Sequence, residues 1–396
     1  MSKEKRILLD GKEYKAGEAI KIAAGKSGED IIKIIKDAGI KGRGGAGFPT
    51  GLKWSFCYNE KDPEKYIISN ADEGEPGTFK DRVLLQKNPR QHFEGMVVGG
   101  LAIKAAKGYM YLRHEYKRFV PDFEKVLDDM RNDNHLGKNI MGSGIDFDIE
   151  IRLGSGAYVC GDESALLESI EGKRGEPRNK PPYTASQGFL NKPTIVNNVE
   201  TWTYIPLIIS KGAKWFKQFG KGDNPGTKLF SISGDVDKPG VYEFDKGVSL
   251  QTVLDEAGAK NTKAVQVGGY SGVLVAPQDF NKPLEYGPEG LPPGGSIIVY
   301  NNTRDMVEVL LNYMHFFYEE SCGQCVPCRE GTYEMVRTLE KIKCCEASSR
   351  DIDKLTELAE VMTISSKCGL GQTVPTPFFS AMENFKEEFL VRECAL

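Results

Sequence analysis

The chain has 396 residues, enough for two or three domains, and its 40% hydrophobic and 27% charged residues exclude long disorder and fibrous repeats. Because 52 Lys and Arg face 56 Asp and Glu, the net charge of −4 argues against nucleic-acid binding. The N-terminus lacks the pattern of a signal peptide and no apolar run reaches the ~18 residues of a membrane helix, so we expect a cytoplasmic protein without direct membrane insertion, at most held at the inner face of the membrane by partner subunits.

The first half of the chain alternates between helical and strand patterns. A capped amphipathic helix is predicted at 27–39, and a glycine-rich loop follows at 42–51. Further patterns predict strands at 65–69, 109–113 and 147–153, helices at 92–106, 115–132 and 162–171, and loops at 70–81, 154–161 and 173–193. Such alternation is typical of an α/β fold, which we assign to residues 1–223.

The pattern changes near residue 224. Short strands surround one helix at 249–257, which predicts a compact β-rich domain over 224–304. These strands are predicted at 229–234, 240–244, 264–268 and 296–300. From residue 305 to 396 the pattern is helical, with predicted helices at 305–318, 329–343, 351–363 and 377–391. Four helices with short connections indicate a terminal bundle.

Four of the nine cysteines form the strongest chemical signal. Three of them are spaced two residues apart just before a helix, and a fourth follows in a remote glycine-containing loop; they are Cys322, Cys325, Cys328 and Cys368. This spacing lets a kinked backbone wrap thiolates around one cluster and is typical of [4Fe–4S], whereas zinc prefers two separated Cys/His pairs. We expect the scattered remainder to be buried or surface thiols, at Cys57, Cys160, Cys344, Cys345 and Cys394.

The loop at 42–47 matches G-x-G-x-x-G but lacks the context of a Rossmann fingerprint. It follows a predicted helix and runs into Phe48 and Pro49, whereas the fingerprint follows a strand and opens a helix. Its bare backbone can still approach a planar or phosphate-bearing ligand, with Arg43 and Lys53 as counter-charges. A tight connection that binds nothing remains the alternative.

Acidic residues follow the predicted strand at 65–69. Asp72, Glu73 and Glu75 lie where open α/β sheets bind ligands, and their carboxylates could accept hydrogen bonds from ribose or flavin groups. A solvated acidic turn is the simpler alternative. The loop at 154–161 has the strand–glycine loop–helix order that favours a phosphate, although Asp162 and Glu163 serve equally well as helix caps.

Basic residues crowd the loop at 173–180. Lys173, Arg174, Arg178 and Lys180 could neutralise a pyrophosphate, or they could form an exposed basic loop.

Several segments together resemble the NADH-binding flavoprotein subunit of respiratory complex I and the diaphorase subunits of NAD-linked hydrogenases and formate dehydrogenases. They lie at 42–54, 70–82, 156–171, 181–202, 322–328 and 368–371, and the resemblance covers essentially the whole chain. It implies an α/β, Rossmann-like FMN- and NADH-binding domain, a small β-grasp-like (ubiquitin-like) domain and the helical bundle carrying the iron–sulfur cluster. The cofactors would be FMN and one [4Fe–4S] cluster, with NAD(H) as substrate.

The resemblance also implies a reaction and partners. A hydride would pass between NAD(H) and FMN, and single electrons would pass on to the cluster and a partner subunit. The implied partners are a thioredoxin-like [2Fe–2S] subunit and a larger iron–sulfur subunit. The alternative from a different class is a non-catalytic zinc-bearing scaffold with a degenerate nucleotide pocket.

Site residues follow from the resemblance by position. It implies FMN contacts at Gly44, Gly45, Lys53, Asn70, Asp72, Tyr158, Gly161, Asn197 and Asn198, and NADH contacts at Phe56, Glu75, Asp162, Glu163, Lys180 and Tyr183. We add Gly42, Arg43 and Glu73 to the cofactor-binding set and expect Glu75 and Tyr158 to be catalytic. Asp162 stands where the family usually has Glu, and Tyr183 where Phe is common.

Overall fold

A parallel four-stranded sheet organises the first half of the chain in the computed structural model, which describes residues 6–221 and 224–390. Its strands are β1 (Tyr66–Ala71), β2 (Lys107–Leu112), β3 (Ile149–Leu153) and β4 (Thr194–Asn198), in the spatial order β3-β2-β1-β4. The order reverses direction between β1 and β4, where Asn70 pairs with Asn198. Open α/β sheets bind ligands outside the carboxyl ends of the strands at such a point.

Helices cover both faces of this sheet. They are α1 (Glu18–Ala24), α2 (Gly28–Ala38), α3 (Thr50–Asn59), α4 (Lys80–Lys87), α5 (Pro89–Ile103), α6 (Val120–Asn132), α7 (Glu163–Ile170), α8 (Val199–Lys211) and α9 (Ala213–Phe216). Ile67 faces the core that contains α5 and α8, while its neighbour Ile68 faces the core that contains α7. A side chain on Gly95 would collide with the Trp202 carbonyl, so this glycine permits the close packing of α5 on α8.

A mixed sheet follows, preceded by the two-stranded pair β5 (Gly220–Lys221) and β6 (Asn224–Pro225). It contains β7 (Thr227–Gly234), β8 (Gly240–Asp245), β9 (Thr262–Val267), β10 (Val273–Val275) and β11 (Ser296–Asn301), in the order β10-β9-β11-β7-β8. Only β11 and β7 pair in parallel among these neighbours. Helix α10 (Leu250–Ala257) contributes Val253 to a core that includes Phe230 and Ile297 of the sheet.

The C-terminal part is helical. Its helices are α11 (Met306–Glu320), α12 (Val326–Lys343), α13 (Ser349–Ser365), α14 (Gly369–Thr373), α15 (Pro375–Asn384) and α16 (Lys386–Leu390). Met314, Leu339, Leu355 and Phe378 bring α11, α12, α13 and α15 into one core. Across the two described ranges, no helix has both the length and the apolar character needed to cross a membrane.

The mixed α/β architecture with C-terminal helices confirms the expected class at that level, whereas several element bounds were wrong. The helix expected at 92–106 begins at Pro89 and ends at Ile103. The one expected at 115–132 starts with a 3₁₀ turn, and α6 begins only at Val120. The helix expected at 377–391 is divided at Phe385, and residue 391 lies outside the described residues. The expectations also omitted α1, α3, α4, β4, α8 and β10.

Of the described cysteines outside the motif, three follow the expectation and one does not. Cys57 and Cys160 are buried free thiols, and Cys344 is an exposed free thiol. Cys345 is disulfide-bonded, so its expected thiol state was wrong. Cys394 lies outside the described residues.

Candidate functional site

The segments that follow β1 and β4 meet at the reversal point of the parallel sheet, and we call the space between them the crevice. The Asn70 side chain, at the end of β1, donates to the Gly161 carbonyl at 2.9 Å and accepts from the Asp72 backbone at 3.1 Å. Asn198, at the end of β4, caps α8 by accepting from the Glu200 backbone at 2.9 Å. Both asparagines therefore hold neighbouring backbone segments in place around the crevice.

The first glycine loop lies against β4. A Cβ on Gly44 would lie 3.2 Å from Cβ of Asn198, whereas a Cβ on Gly45 would meet nothing within 4 Å. Gly45 has φ +129°, which disfavours other residues, and its carbonyl accepts from the Tyr286 hydroxyl. The space in front of Gly45 is thus open, as a cradle for a ligand requires.

The Arg43 side chain supports this loop from the interior of the protein. Its buried guanidinium donates to the Thr227 carbonyl at 3.1 Å and lies 3.8 Å from Glu200. Its backbone N–H donates to the Thr201 hydroxyl at 2.9 Å. The Arg43 side chain therefore points into the protein interior. The expectation that its charge lies in the crevice as a counter-charge was wrong.

Lys53 is the cation that does reach the crevice. Its Nζ lies 2.8 Å from Glu163 Oε2 and donates to the Val196 carbonyl at 3.1 Å. Asn197 lies beside Lys53 on the same side of the crevice. When its amide is oriented to satisfy its hydrogen-bond partners, the amide oxygen accepts from Trp54 Nε1 at 2.9 Å. These contacts join α3, β4 and α7 around one space.

Two acidic residues of the loop after β1 have different surroundings. Burial raises the pKa of Asp72 to about 7, and its buried Oδ2 has no hydrogen-bond partner among the described residues. Glu73 is also buried, with a pKa raised to about 7 by burial, but it accepts from the backbones of Asp81 and Arg82 and from the Tyr116 hydroxyl. Glu73 therefore stabilises the start of α4, whereas Asp72 retains a free acceptor.

Glu75 lies in a hydrogen-bonded group drawn from three parts of the chain. Tyr158 Oη donates to Glu75 Oε2 at 2.5 Å, and the Ser271 backbone and hydroxyl each donate to this carboxylate at 3.2 Å. Burial raises the pKa of Glu75, while these donors oppose the rise. Burial and the Glu75 charge raise the pKa of Tyr158 well above its usual value.

Ser271 was missed by sequence reasoning. It lies between β9 and β10, 196 residues from Glu75, and the local hint of a close approach was the group of neighbouring glycines Gly268, Gly269 and Gly272.

Asp162 performs two roles at the start of α7. Its Oδ1 caps the helix by accepting from the backbones of Ser164 at 2.8 Å and Ala165 at 3.2 Å, and its Oδ2 lies 3.2 Å from Lys180 Nζ. Although burial pushes the pKa of Asp162 upward, the Lys180 charge and the cap donors hold it below its usual value. The helix-cap alternative is thus correct for one oxygen, and the other oxygen pairs with a cation.

Two aromatic residues expected near the substrate face solvent. Phe56 is 49% exposed and Tyr183 is 61% exposed. Both rings are therefore accessible to a ligand.

The four cysteines of the motif line a single cavity. Its walls also include Val159, Pro177 and Leu370, and its thiolate candidates are Cys322, Cys325, Cys328 and Cys368. Burial raises the pKa of Cys328 to about 11, and the other three thiols of the set contribute to that rise. Burial also raises the pKa of Cys368, while backbone N–H groups of Leu370 and Gly371 lower it.

The four cysteines lie around one cavity, and zinc and an iron–sulfur cluster need such ligands in different arrangements. In the part of the chain that the structure describes, no three His, Cys, Asp or Glu side chains converge closely enough to hold one metal ion. Zinc would require its sulfur ligands at about 2.3 Å from a common point. A cubane binds each thiolate at a separate iron, so four sulfurs around one cavity fit it better.

One short turn touches both sites. In the 3₁₀ turn Tyr158–Gly161, Tyr158 bonds to Glu75, Val159 lines the cysteine cavity and Gly161 binds Asn70. The crevice and the cavity are therefore neighbours. Together they define the class of redox proteins that hold an organic cofactor beside an iron–sulfur cluster.

Comparison with known proteins agrees with this class. Residues 35–207 match the family model described as Nuo51 FMN-binding domain, and residues 308–392 match the NADH-ubiquinone oxidoreductase-F iron-sulfur binding region. The F 2 subunit of the NADH-quinone oxidoreductase of Rhizobium meliloti is 38% identical over 95% of this chain and 93% of its own length. The chain therefore belongs to the family of NADH-quinone oxidoreductase F subunits, whose cofactors are FMN and an iron–sulfur cluster.

Hydrogenase subunits are similar as well. The NAD-reducing hydrogenase HoxS subunit alpha of Cupriavidus necator is 47% identical over 91% of this chain, and the NADP-reducing hydrogenase subunit HndC of Solidesulfovibrio fructosivorans is 42% identical over 91%. The chain spans 60% and 75% of these relatives, respectively. A crystal structure of an NAD+-reducing [NiFe]-hydrogenase in the H2-reduced state superposes with TM-score 0.91 and 41% identity, over 98% of this chain and 66% of that one.

The described residues fit both family cofactors. The open space at Gly45 and the unpartnered Asp72 oxygen suit a planar ligand that carries hydrogen-bond donors, as a flavin ring does. The cavity lined by four cysteine thiols suits an iron–sulfur cluster.

Proposed function

We propose that the chain transfers electrons between NAD(H) and a [4Fe–4S] cluster through FMN, as the flavoprotein subunit of a larger oxidoreductase. The observation that carries this proposal is the Tyr158–Gly161 turn, which contacts the crevice on one side and the cysteine cavity on the other. Electron transfer between two centres requires such proximity. Bound FMN would supply the exchange between two-electron and one-electron chemistry.

The FMN would lie in the crevice between β1 and β4. Gly42, Gly44 and Gly45 would offer backbone, and the Asp72 oxygen would accept from the ring. Lys53 would counter the phosphate charge. Asn70, Gly161, Asn197 and Asn198 would hold the walls, with Arg43 and Glu73 supporting the loops from inside the protein.

NAD(H) would enter from the side of the exposed aromatic residues. Phe56 and Tyr183 would cover the coenzyme, and Asp162, Glu163 and Lys180 would contact its polar groups. We assign Glu75 and Tyr158 to the nicotinamide end. Because the pKa of Tyr158 is far above its usual value, its hydroxyl stays protonated and keeps donating to Glu75. These residues would orient the coenzyme within near-attack geometry.

Cys322, Cys325, Cys328 and Cys368 would be the cluster ligands. Their placement around one cavity, together with the match of residues 308–392 to the iron-sulfur binding region, favours this assignment over the zinc-bearing scaffold.

We further propose the finer architecture. The strand order β8-β7-β11-β9-β10 with the packed helix α10 supports a β-grasp-like domain at 224–304, and the shared core of α11, α12, α13 and α15 supports a four-helix bundle at 305–396. Residues 1–223 would form the Rossmann-like domain. The electrons would pass to a thioredoxin-like [2Fe–2S] subunit and a larger iron–sulfur subunit. The complex would lie in the cytoplasm, where partner subunits could hold it at the inner face of the membrane.

Anaerobic purification tests the proposal. We expect one FMN and about four iron atoms per chain, a yellow-brown absorbance spectrum, and reduction of ferricyanide by NADH. A colourless protein with bound zinc and no flavin would instead support the scaffold. Proteins that copurify would identify the parent complex.

A further inference from the structure

Four polar side chains beside the cysteine cavity are linked by hydrogen bonds and an ion pair. Lys367 Nζ donates to Gln324 Oε1 at 2.6 Å, and Gln324 Nε2 donates to Glu176 Oε2 at 2.9 Å. Glu176 also pairs with Arg174 at 3.1 Å, and Arg174 donates to the Cys322 carbonyl at 2.8 Å. We call these four side chains the polar bridge.

The polar bridge connects segments that are remote in sequence. Arg174 and Glu176 belong to the loop after α7, whereas Gln324 lies between two candidate ligands and Lys367 immediately precedes Cys368. Gln324 and Lys367 both line the cavity itself. The ion pair of the bridge, between Arg174 and Glu176, is exposed and adds little to the free energy of unfolding.

We propose that the polar bridge sets the reduction potential of the cluster bound by the four cysteines, and that Lys367 raises it. The inference rests on the proposed function, because it requires that cluster. Reduction adds one electron, supplied by the reduced flavin, with no bond made or broken, so the net charge of the cluster becomes more negative by one. A nearby cation favours the reduced form and a nearby carboxylate opposes it.

The positions of the charges decide the sign. Lys367 lines the cavity, whereas Glu176 does not and is linked to it through Gln324 and Arg174. Arg174 adds a second cation, bonded to the backbone of a candidate ligand. The bridge therefore carries two positive charges and one negative charge. One cation lines the cavity and the other donates to the backbone of a candidate ligand, whereas the carboxylate does neither.

The test is a redox titration of the cluster, followed by electron paramagnetic resonance in the purified full chain with its cofactors. Lys367→Met keeps the length of the side chain and removes its charge, so we expect a shift to more negative potential. Lys367→Arg should titrate close to wild type. Glu176→Gln keeps a hydrogen-bond partner for Gln324 and removes the negative charge, so its shift should be positive.

Lys354→Met is the matched control. This exposed lysine lies in α13, 11 residues before the end of the helix that leads to Lys367. It is therefore about 16 Å along the helix axis from that end, and removing its charge should leave the reduction potential unchanged. The proposal is wrong if Lys367→Met titrates as wild type, or if it and Glu176→Gln shift in the same direction. If Lys367→Met binds no iron, the Glu176→Gln shift decides: a positive shift supports the proposal, and none overturns it. A wild-type chain without a cluster signal refutes the proposed function instead.

Discussion

Glu200 lies at the centre of a buried group of charges that joins the parallel sheet to the mixed sheet. It is fully buried, 2.9 Å from Lys80 and 3.3 Å from Lys228, and it accepts from the Leu229 backbone at 3.0 Å. Although burial acts to raise the pKa of Glu200, Lys228, Lys80 and Arg43 lower it from 4.5 to about 2. We predict that Glu200→Gln strongly destabilises the protein, because it leaves buried cations without their partner.

The size of the effect follows from the pKa. The fall of the Glu200 pKa from 4.5 to about 2 corresponds to about 3–4 kcal/mol, within the ~3–5 kcal/mol typical of breaking a buried pair. Since the folded-state pKa is depressed, this stabilisation is present above pH 4.5 and is lost as the pH falls toward about 2. Glu200→Gln should therefore also flatten the loss of stability in that range.

Guanidinium denaturation followed by tryptophan fluorescence measures this change, because Trp54 and Trp202 are fully buried in the core of the parallel sheet. The matched control is Glu334→Gln, which breaks an exposed pair with Arg337 and should cost less than about 1 kcal/mol. If the free energy of unfolding of Glu200→Gln lies within about 1 kcal/mol of the wild-type value, the charge argument is wrong.

Three further predictions concern the cofactors. Cys368→Ala should lose or convert the cluster, measured by iron content and absorbance, whereas Cys344→Ala should change neither; an altered Cys344→Ala spectrum would mean that the fourth ligand is misassigned. Gly45→Val should lose FMN, measured by flavin fluorescence after denaturation. The control Gly142→Val changes an equally open site with positive φ and should retain FMN. Equal retention of FMN in both variants would show that Gly45 does not contact the cofactor. Tyr158→Phe removes a donor that lowers the pKa of Glu75, so the acidic limb of kcat/KM for NADH should move to higher pH, and an unmoved limb would contradict the Glu75 assignment.

Features that depend on neighbouring residues were accessible from the sequence. The Ser27 cap and the Gly39 stop bounded α2 correctly, because both act within one turn of the helix. The cysteine spacing placed four thiols at one cavity, since three of them lie within seven residues at the start of α12. Asn70 and Asp72 were expected at a strand end, where they lie.

Features set by distant contacts were not accessible. The charge of Arg43 was expected in the crevice, but Glu200 and the Thr227 carbonyl draw it into the interior. Likewise, the carboxylate of Glu73 turns toward the start of α4, which no local pattern revealed. Ser271 reaches Glu75 only because the mixed sheet packs beside the crevice.

The proposed function includes a choice between NADH and NADPH, since the relatives include both an NAD-reducing and an NADP-reducing hydrogenase subunit. We assign this choice to Asp162 and Lys180. Asp162 Oδ2 lies 3.2 Å from Lys180 Nζ, so the carboxylate both repels a 2′-phosphate and occupies the cation that could bind one. We therefore predict that the wild-type protein prefers NADH.

Asp162→Asn separates this role from helix capping. Asn caps a helix as well as Asp does, so Oδ1 can still accept from Ser164 and Ala165 and the thermal midpoint should change little. The charge is lost and Lys180 is released, so the kcat/KM ratio of NADPH to NADH should rise about ten- to a hundredfold, the equivalent of ~1.5–3 kcal/mol for a hydrogen bond to a charged group. Ferricyanide reduction at constant ionic strength gives the ratio for both coenzymes. Adding Lys180→Met should abolish the gain, because the phosphate would then have lost its partner. A ratio that stays at the wild-type value in Asp162→Asn would leave Asp162 with only its helix-capping role.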